Sequence, residues 1–201
     1  MDKVVGKLES WADADIGRSN FMRLEDGSNQ VRCITSPWQF YIHWSSDATN
    51  QNRKVKCALK DCPLCQQGEK AQVRWYVGVL NRKDSKPAIV EMGPQIFNQV
   101  LALSKNIKWG DPRGFDLDIQ KNPKKTQPLY TVVPEPKEKL TSEEIAICKE
   151  FVEKIDLSKM VETPTPESVR ERLGLASIKK SSVVVDDVST SDTEDFNFDN
   201  V

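Results

Sequence analysis

A cluster of cysteines constrains this chain more tightly than any other feature of its sequence. Three of them fall within nine residues, in the pattern Cys57-x4-Cys62-x2-Cys65, and thirteen residues separate Cys57 from the chain's one histidine, His43. Three thiolates and one imidazole are a ligand set that binds Zn²⁺ tetrahedrally in structural sites. We therefore expect one structural zinc ion bound by His43, Cys57, Cys62 and Cys65, around which residues 43–70 form a small subdomain.

Two other roles for these cysteines are less favoured. The cysteine count of five is odd and the first twenty residues contain no apolar signal-peptide region, so a disulfide framework is disfavoured. A redox-active Cys-x-x-Cys would not require Cys57 and would need a strand–helix–strand context. A lone histidine is most often an ordinary half-buried residue, so His43 is the weakest member of the set. The other cysteines, Cys33 and Cys148, occupy apolar positions and are predicted to be core residues.

The predicted zinc site bears on catalysis. Four protein ligands leave no open position for water or substrate, so we expect a structural ion, no small-molecule substrate and no enzymatic activity. The remaining catalytic hypothesis is a carboxylate-metal nuclease built on Asp111, Asp116 and Asp118. Asp116 and Asp118 share a strand face, as paired Mg²⁺ ligands would, but a solvated strand face is the more ordinary interpretation.

Charged residues are unevenly distributed along the 201 residues, although the formal net charge is only −1. Residues 21–134 carry 17 lysines and arginines against 10 acidic residues, whereas residues 181–201 carry six acidic residues and no basic residue. A basic middle region followed by an acidic end is common in proteins that bind nucleic acids. No apolar run approaches the ~18 residues that a membrane-spanning helix needs, so we expect no membrane association.

Alternating apolar and polar residues predict short strands through most of residues 20–134. The clearest is 73–80, where apolar residues alternate from Val73 to Val79, and Gly93-Pro94 opens a predicted helix that continues to Leu103. The other predicted strands are 20–24, 31–34, 39–44, 88–92, 115–119 and 129–133, with a hairpin turn at Asp26-Gly27 between the first two. Strands, one helix and further strands indicate an α+β fold that is mainly β, with a small barrel of the OB type.

The chain divides into four predicted regions. Residues 1–19 form an amino-terminal arm, and residues 20–136 form the OB-like core with the zinc subdomain inserted in it. Residues 137–176 form a helical extension, with one helix from Thr141 or Ser142 to about Ile155 and a second from Thr165 or Pro166 to Leu173. Residues 177–201 are rich in Ser, Thr, Asp and Asn, and we expect a disordered acidic tail because they cannot bury enough apolar surface to fold alone.

Basic and aromatic side chains on outward strand faces and in loops form a predicted binding surface. Basic groups neutralise phosphates, and exposed rings stack on unpaired bases, each contributing on the order of 1–3 kcal/mol. Phe40, Trp44 and Trp75 are instead predicted to be core residues. The predicted DNA-contacting residues are Arg23, Arg32, Tyr41, Arg53, Lys54, Lys56, Arg74, Tyr76, Arg82, Lys83, Lys108 and Trp109, with Lys121, Lys124 and Lys125 extending the positive rim.

Several motifs together resemble phage single-stranded-DNA-binding proteins. They are Phe21-Met22-Arg23-Leu24, His43-Trp44, Cys57, Cys62-Pro63-Leu64-Cys65, Trp109-Gly110-Asp111-Pro112 and Tyr130-Thr131-Val132-Val133-Pro134. The order of one histidine and three cysteines is also similar, more distantly, to the zinc site of the T-even-type phage helix-destabilising protein. The resemblance covers about residues 20–136 and the acidic tail. It implies an OB fold with a zinc subdomain, sequence-tolerant binding of single-stranded DNA, and a role in replication, recombination and repair in the cytoplasm of the infected bacterium.

The two ends of the chain bear differently on this resemblance. T-even-type proteins carry a basic amino-terminal arm, but residues 1–20 here carry three basic and four acidic residues, so strong cooperativity by that route is not expected. A flexible acidic tail can compete with DNA for a basic groove, and its release would free it to bind replication and recombination proteins. The tail residues predicted to take part are Asp192, Glu194, Asp195, Phe196, Phe198 and Asp199.

Two alternative functions use the same residues. A zinc-stabilised adaptor would bind proteins through the tail and the helices of residues 141–173, with DNA contact incidental. A single-stranded RNA binder would use the same stacking platform, because ring stacking does not distinguish the two sugars.

Overall fold

Seven β-strands and five α-helices form the part of the chain that the structure describes. The structure, a computed structural model, describes residues 20–46 and 52–175. The strands are β1 (Gln30–Cys33), β2 (Trp38–Ser46), β3 (Asn52–Lys56), β4 (Gln72–Asn81), β5 (Lys86–Met92), β6 (Asp116–Lys121) and β7 (Tyr130–Pro134). The helices are α1 (Pro63–Gln66), α2 (Pro94–Ser104), α3 (Ser142–Lys154), α4 (Leu157–Val161) and α5 (Pro166–Arg172). The fold therefore mixes α and β elements, as the sequence pattern predicts.

The strands form one open antiparallel sheet in the order β3-β2-β4-β1-β6-β7, with β5 on the other edge of β4. The first half of β4 pairs with β2, with Tyr41 opposite Val73, and the second half pairs with β1, with Cys33 opposite Val79. β1 and β2 therefore follow each other along one edge of β4. The break between them contains Pro37, which has no backbone N–H to offer a strand. Among the described residues, no strand pairing closes this sheet into a barrel.

Side chains of α2 cover the outer edge of β7. The Gln99 amide nitrogen donates to the Tyr130 carbonyl oxygen at 3.2 Å, and its oxygen accepts from the Val132 backbone N–H at 2.9 Å. The Gln95 amide oxygen accepts from the Tyr130 backbone N–H at 3.2 Å. These amides pair backbone groups that an edge strand would otherwise leave to solvent.

The main core lies between α2 and one face of the sheet. The Trp75 indole stacks on the Phe97 ring of α2, with the ring centroids 3.8 Å apart. Strand alternation predicts this face correctly, and Cys33 belongs to it; Cys148 is buried too, as predicted. The buried residues are Val31, Cys33, Val77, Val79, Val90, Met92, Ile96, Val100, Phe115, Leu117, Ile119 and Val132.

The second face of the sheet is also buried, because the carboxy-terminal helices pack on it. Leu157 of α4 forms one apolar cluster with Phe40, Ile42, Tyr76 and Ile89. Tyr76 is only 7% exposed, so the prediction that it lies on an exposed face is wrong. Alternation separates the two faces of a strand, but it does not show which elements cover each face.

The far end of β2 departs from the predicted pattern. Trp44 is predicted to be a core residue but is 46% exposed, whereas its neighbour His43 is fully buried. β3 pairs with this end of β2, placing Val55 opposite His43. Val55 packs with the segment that begins at Cys57. This segment covers the face of β2 that carries His43, so Trp44 on the opposite face remains exposed.

The first predicted strand and its hairpin are wrong. Residues 20–24 contribute only an isolated bridge, in which Phe21 pairs in parallel with Ile89 of β5. The backbone N–H of Met22 donates to the Ile89 carbonyl oxygen at 2.9 Å, and that of Gly27 donates to the Lys121 carbonyl oxygen at 2.8 Å. Residues 20–27 therefore run from the edge of β5 to β6. These long-range backbone hydrogen bonds override the local hairpin preference of Asp26-Gly27.

Buried ion pairs attach the helical extension to the sheet. The Nε atoms of Arg32 and Arg82 lie 2.5 Å and 2.8 Å from the Asp116 carboxylate. Arg82 also pairs with Glu144 of α3 at 2.5 Å, and the Arg32 guanidinium donates two hydrogen bonds of 3.0 Å to the Glu138 carbonyl oxygen. The Arg32 side chain is 2% exposed, so its predicted place on an open DNA-binding face is wrong.

The two predicted helices of the extension are confirmed as α3 and α5. A capping box formed by Thr141 and Glu144 begins α3, and the Thr165 side chain caps α5. The elements β3, α1 and α4 are not predicted, because each has at most five residues and too little periodicity to recognise. In the described ranges, no helix has the length and apolar character needed to cross a membrane.

Candidate metal centre and adjoining groove

The four residues of the predicted metal set converge at the end of the β2–β3 pair. β2 carries His43, and Cys57 directly follows the last residue of β3. Cys62 is the N-cap of α1, and Cys65 lies within that helix. Pro63 begins α1, where a missing backbone N–H costs no helical hydrogen bond. The short helix thus turns two cysteines towards the same point as His43.

Three of the distances between donor atoms match the edges of a tetrahedral metal site. The His43 Nε2 atom is 3.6 Å from the Cys62 Sγ and 3.4 Å from the Cys65 Sγ, and the Cys57 Sγ is 3.6 Å from the Cys65 Sγ. All four donors lie within 4.8 Å of one another. Metal–sulfur bonds of about 2.3 Å and metal–nitrogen bonds of about 2.0 Å give tetrahedral edges of roughly 3.5–3.8 Å. The predicted grouping is confirmed: three cysteines and one histidine can hold a metal ion here.

Burial and backbone hydrogen bonds set the protonation of these ligands. Burial lowers the pKa of His43, which favours the neutral imidazole that binds metals. Burial also raises the pKa of Cys57 to about 12. At Cys62 burial acts in the same direction, but backbone hydrogen bonds, chiefly from Cys65 and Ala58, outweigh it and lower the pKa of this thiol. The start of α1 therefore stabilises one thiolate before a metal ion binds.

The imidazole of His43 faces the thiols with its Nε2 atom. Its other ring nitrogen, Nδ1, is buried and has no hydrogen-bond partner within the described part of the chain. The Leu59 backbone N–H donates to the Cys57 Sγ at 3.3 Å. Such N–H donors to sulfur stabilise thiolate ligands, as outer partners of a metal site commonly do.

Helix α5 closes one side of the metal centre. Its residue Val169 is 2% exposed, and Cys65 is the one exposed member of the ligand set. The Lys56 ammonium group of β3 donates to the Met160 carbonyl oxygen of α4. This hydrogen bond also joins the segment around the metal centre to the helical extension. One apolar cluster contains Val55, Cys57, Ala58, Cys62, Leu64, Val169 and, partly buried, Leu173. The metal centre and the end of the extension therefore share a small core.

Three open clefts adjoin one another along residues 22–28, and we call them together the basic groove. The largest is about 570 Å³, and it shares Arg23 with a second cleft of about 260 Å³. It shares Lys121 with a third cleft of about 480 Å³. The aromatic and basic residues that line the groove are Phe21, Tyr76, Tyr130, Arg23, Lys54, Arg82, Lys83 and Lys121.

Carboxylates neutralise most of the cations in the basic groove. Lys121 lies 2.7 Å from Asp26, and the hydrogen bond from Lys121 lowers the pKa of Asp26. No ion pair joins Arg23 to another described residue. The lysines and their partners are Lys54 with Glu91, Lys83 with Glu25 and Lys121 with Asp26. In the described structure the lysines of the groove are therefore paired with carboxylates, and Arg23 has no such ion pair.

Three exposed rings lie near the groove, and none of them is among the predicted DNA-contacting residues. Phe21 is 37% exposed and its ring packs edge-on against Tyr76, with centroids 5.0 Å apart. Trp38 lies opposite Tyr76 in the sheet, and Trp44 lies opposite Lys54. Both tryptophans share a strand face with the buried Phe40 and Ile42, so their sequence pattern gives no signal of exposure. For Phe21, the signal was the Phe21-Met22-Arg23-Leu24 motif.

The other predicted DNA-contacting residues lie in several places. Tyr41 is exposed as predicted, but it alternates with the residues that face the groove. Arg74 is partly buried, 3.7 Å from Glu91. The Lys108 ammonium group lies 5.1 Å from the centre of the Trp109 ring, which is half-buried. The Arg53 side chain and the tail residues Asp192, Glu194, Asp195, Phe196, Phe198 and Asp199 lie outside the described residues.

The three carboxylates considered for a nuclease are bound by protein groups. Asp116 binds two arginines, as described above, and Asp118 accepts from the Asn29 backbone N–H at 3.0 Å. Asp111 pairs with Arg113 at 2.5 Å. Within residues 20–46 and 52–175, only the histidine–cysteine set brings three or more potential metal ligands together.

No protein-family model matches this chain, and no curated protein matches it. The observations that bear on function are then the geometry of the metal centre and that of the basic groove. A four-donor site of this kind can stabilise a fold, and a groove with cations and aromatic walls can bind an unpaired polyanion.

Proposed function

We propose that this protein binds single-stranded DNA in the basic groove, without sequence preference and without enzymatic activity. The observation that carries the proposal is the continuity of three clefts whose walls combine cations with aromatic rings. An unpaired strand offers phosphates to the cations and open base faces to the rings. The resemblance to phage proteins adds a role in coating DNA during replication, recombination and repair in an infected bacterium.

We also infer an OB-like architecture, and the strand order supports it. If β1 and β2 count as one interrupted strand, then β4, β5, β6 and β7 follow as strands two to five, with α2 between the third and the fourth. OB folds bind oligonucleotides on strands two and three, between the loop after strand one and the loop between strands four and five. The lining of the groove supports this inference, because Tyr76 of β4 lies in the same cleft as Lys54, Lys121 and Tyr130.

We infer that the metal is a structural Zn²⁺ ion. A soft donor set of three sulfurs and one nitrogen at tetrahedral edge lengths supports this identity. Bound zinc would join β2, the end of β3 and α1 through His43 and the three cysteines. Lys54 lies three residues before Cys57, so a rigid β2–β3 end positions this lysine at the wall of the groove.

The proposed function is tested by fluorescence titration of the zinc-loaded protein with oligo-dT. Trp38 and Trp44 are exposed beside the groove and report stacking through quenching. We expect saturable quenching with a Kd of roughly 1 µM or lower at low salt, and a steep loss of affinity with salt because each neutralised phosphate contributes about −0.7 to the logarithmic slope.

Two matched variants locate the binding site. Arg23→Ala removes a groove cation and is expected to weaken binding by about fivefold to tenfold. Lys149→Ala removes the same charge from an exposed position on α3 and is expected to leave binding unchanged. Failure of the wild-type protein to bind oligo-dT at low salt would contradict the proposal and favour the adaptor function. Tighter binding to oligo-U would assign the groove to RNA, and equal affinity for duplex DNA would contradict recognition of single strands.

A further inference from the structure

Two carboxylates of this protein each bind a pair of cations that sequence analysis assigns to DNA. Asp116 binds Arg32 and Arg82, and this cluster is largely buried beneath the helical extension, with side-chain exposures of 2% to 18%. Glu91 lies near Lys54 and Arg74. The first cluster attaches two parts of the fold. In the second cluster Glu91 and Lys54 line the largest cleft of the basic groove, where an incoming strand can reach them, and Arg74 lies behind Glu91.

Glu91 lines the largest cleft of the basic groove. It belongs to β5 and is opposite Tyr76 in the sheet register. One of its carboxylate oxygens pairs with the Lys54 ammonium group, and the other lies 3.7 Å from the Arg74 Nε atom. The Glu91 side chain is 23% exposed and that of Lys54 is 38% exposed. Two cations from separate strands thus converge on one accessible carboxylate.

We propose that Glu91 is a built-in competitor for nucleic acid, whose carboxylate holds Lys54 and Arg74 until a phosphate displaces it. This inference rests on the proposed function of the groove. A phosphate oxygen and a carboxylate oxygen compete for the same donors, and Glu91 stays beside the bound strand as a repelling charge. Glu91 therefore weakens binding and makes release faster, without any movement of the fold.

Competition by Glu91 differs from competition by the acidic tail in the place of the competing carboxylate. The carboxylate that competes is part of the groove wall, so its effect persists when the tail is removed. Lys121, another lysine that lines the groove, likewise pairs with a carboxylate, that of Asp26, at 2.7 Å. Paired charges along a groove favour moderate affinity and fast exchange over tight capture.

The test compares Glu91→Gln with Glu150→Gln in the zinc-loaded, full-length protein, using oligo-dT as the probe. Both changes remove one negative charge from an ion pair, but Glu150 pairs with Lys154 on the exposed side of α3, away from the groove. We expect Glu91→Gln to tighten binding by about threefold to tenfold and to steepen the logarithmic salt slope by up to about 0.7, because Lys54 then neutralises a phosphate without a carboxylate that offsets its charge. Glu150→Gln is expected to leave both quantities unchanged.

A double-mutant cycle that combines Lys54→Ala with Glu91→Gln tests whether Glu91 competes with phosphate for Lys54. In the wild-type background this substitution is expected to weaken binding by less than about twofold, because Glu91 already occupies Lys54. In the Glu91→Gln background the same substitution is expected to weaken binding by about fivefold. Equal effects in both backgrounds, or weaker binding by Glu91→Gln, would overturn the proposal and make Glu91 an organiser of the groove. Absence of oligo-dT binding by the wild-type protein would overturn the proposed function instead.

Discussion

Cys33 and Cys62 are both buried cysteines, and their neighbours give them different chemistry. Burial raises the pKa of Cys33 to about 12, so this residue remains a thiol within the apolar core. At Cys62 backbone hydrogen bonds oppose burial and lower the pKa, and the Sγ atom lies 3.6 Å from the His43 Nε2 atom. The Cys62 thiol therefore loses its proton to a binding metal ion more readily than the Cys33 thiol does.

Replacing Cys62 with serine is expected to abolish the binding of one zinc ion per chain and to lower the free energy of unfolding by about 3 kcal/mol or more, because a structural metal contributes directly to folding. The measurements are zinc content by mass spectrometry and thermal unfolding. Cys148→Ser is the matched control, since this buried cysteine lies on α3 outside the ligand set. A Cys62→Ser protein that keeps one tightly bound zinc ion would contradict the assigned ligands.

At the scale of elements, α5 depends on the metal segment that it covers. The helix has seven residues, too few to be stable alone in water. Its buried residue Val169 packs in the cluster that contains Cys57 and Cys62. Docking of α5 and the integrity of the metal centre are therefore coupled, and a change on one side is expected to appear on the other.

The substitution Val169→Asp places a charge in this small core and is expected to detach α5, at a cost of about 2–4 kcal/mol. Hydrogen exchange of residues 166–172 and the rate of zinc transfer to a chelator should both increase, the latter by about tenfold. The control is Val152→Asp on α3, which introduces the same side chain at an exposed position. Faster exchange in α5 with an unchanged rate of zinc transfer would contradict the coupling.

At the scale of the whole molecule, the net charge of −1 conceals a separation of charge along the chain. The basic region of residues 21–134 contains the groove, and residues 181–201 carry six acidic residues without a basic one. A tethered polyanion can compete with DNA at high effective concentration. We therefore expect the tail to reduce affinity in addition to the local effect of Glu91.

Deletion of residues 181–201 is expected to tighten oligo-dT binding by about threefold or more at low salt, with a difference that shrinks as salt screens the tail. The measurement is a titration at several salt concentrations, with thermal unfolding to check that the fold is retained. A full-length variant with the six acidic residues replaced by Asn and Gln separates charge from length. Equal affinities of the intact and shortened proteins at low salt would refute tail competition.

Features that depend on local pattern were predictable from the sequence. The group of potential metal ligands was predictable because its spacing matches the needs of one tetrahedral ion. Strand β4 and helix α2 follow from periodicity, and the start of α3 follows from the capping signal at Thr141. In each case the residues that define the feature lie close together in the chain, so composition and spacing suffice.

Features that depend on which surfaces meet were decided only by the tertiary structure. Tyr76 has the alternation of an outward residue, yet α4 covers it. The sequence pattern predicts that Arg32 contacts DNA. In the structure its guanidinium is bound by Asp116, which lies 84 residues away in the chain. The Lys54–Glu91 pair spans 37 residues and two different strands. By itself the sequence determined the group of potential metal ligands, most of the strands and helices, and the separation of charge. Long-range packing decided which charges are neutralised and which rings are exposed, because burial depends on neighbours that no local pattern specifies.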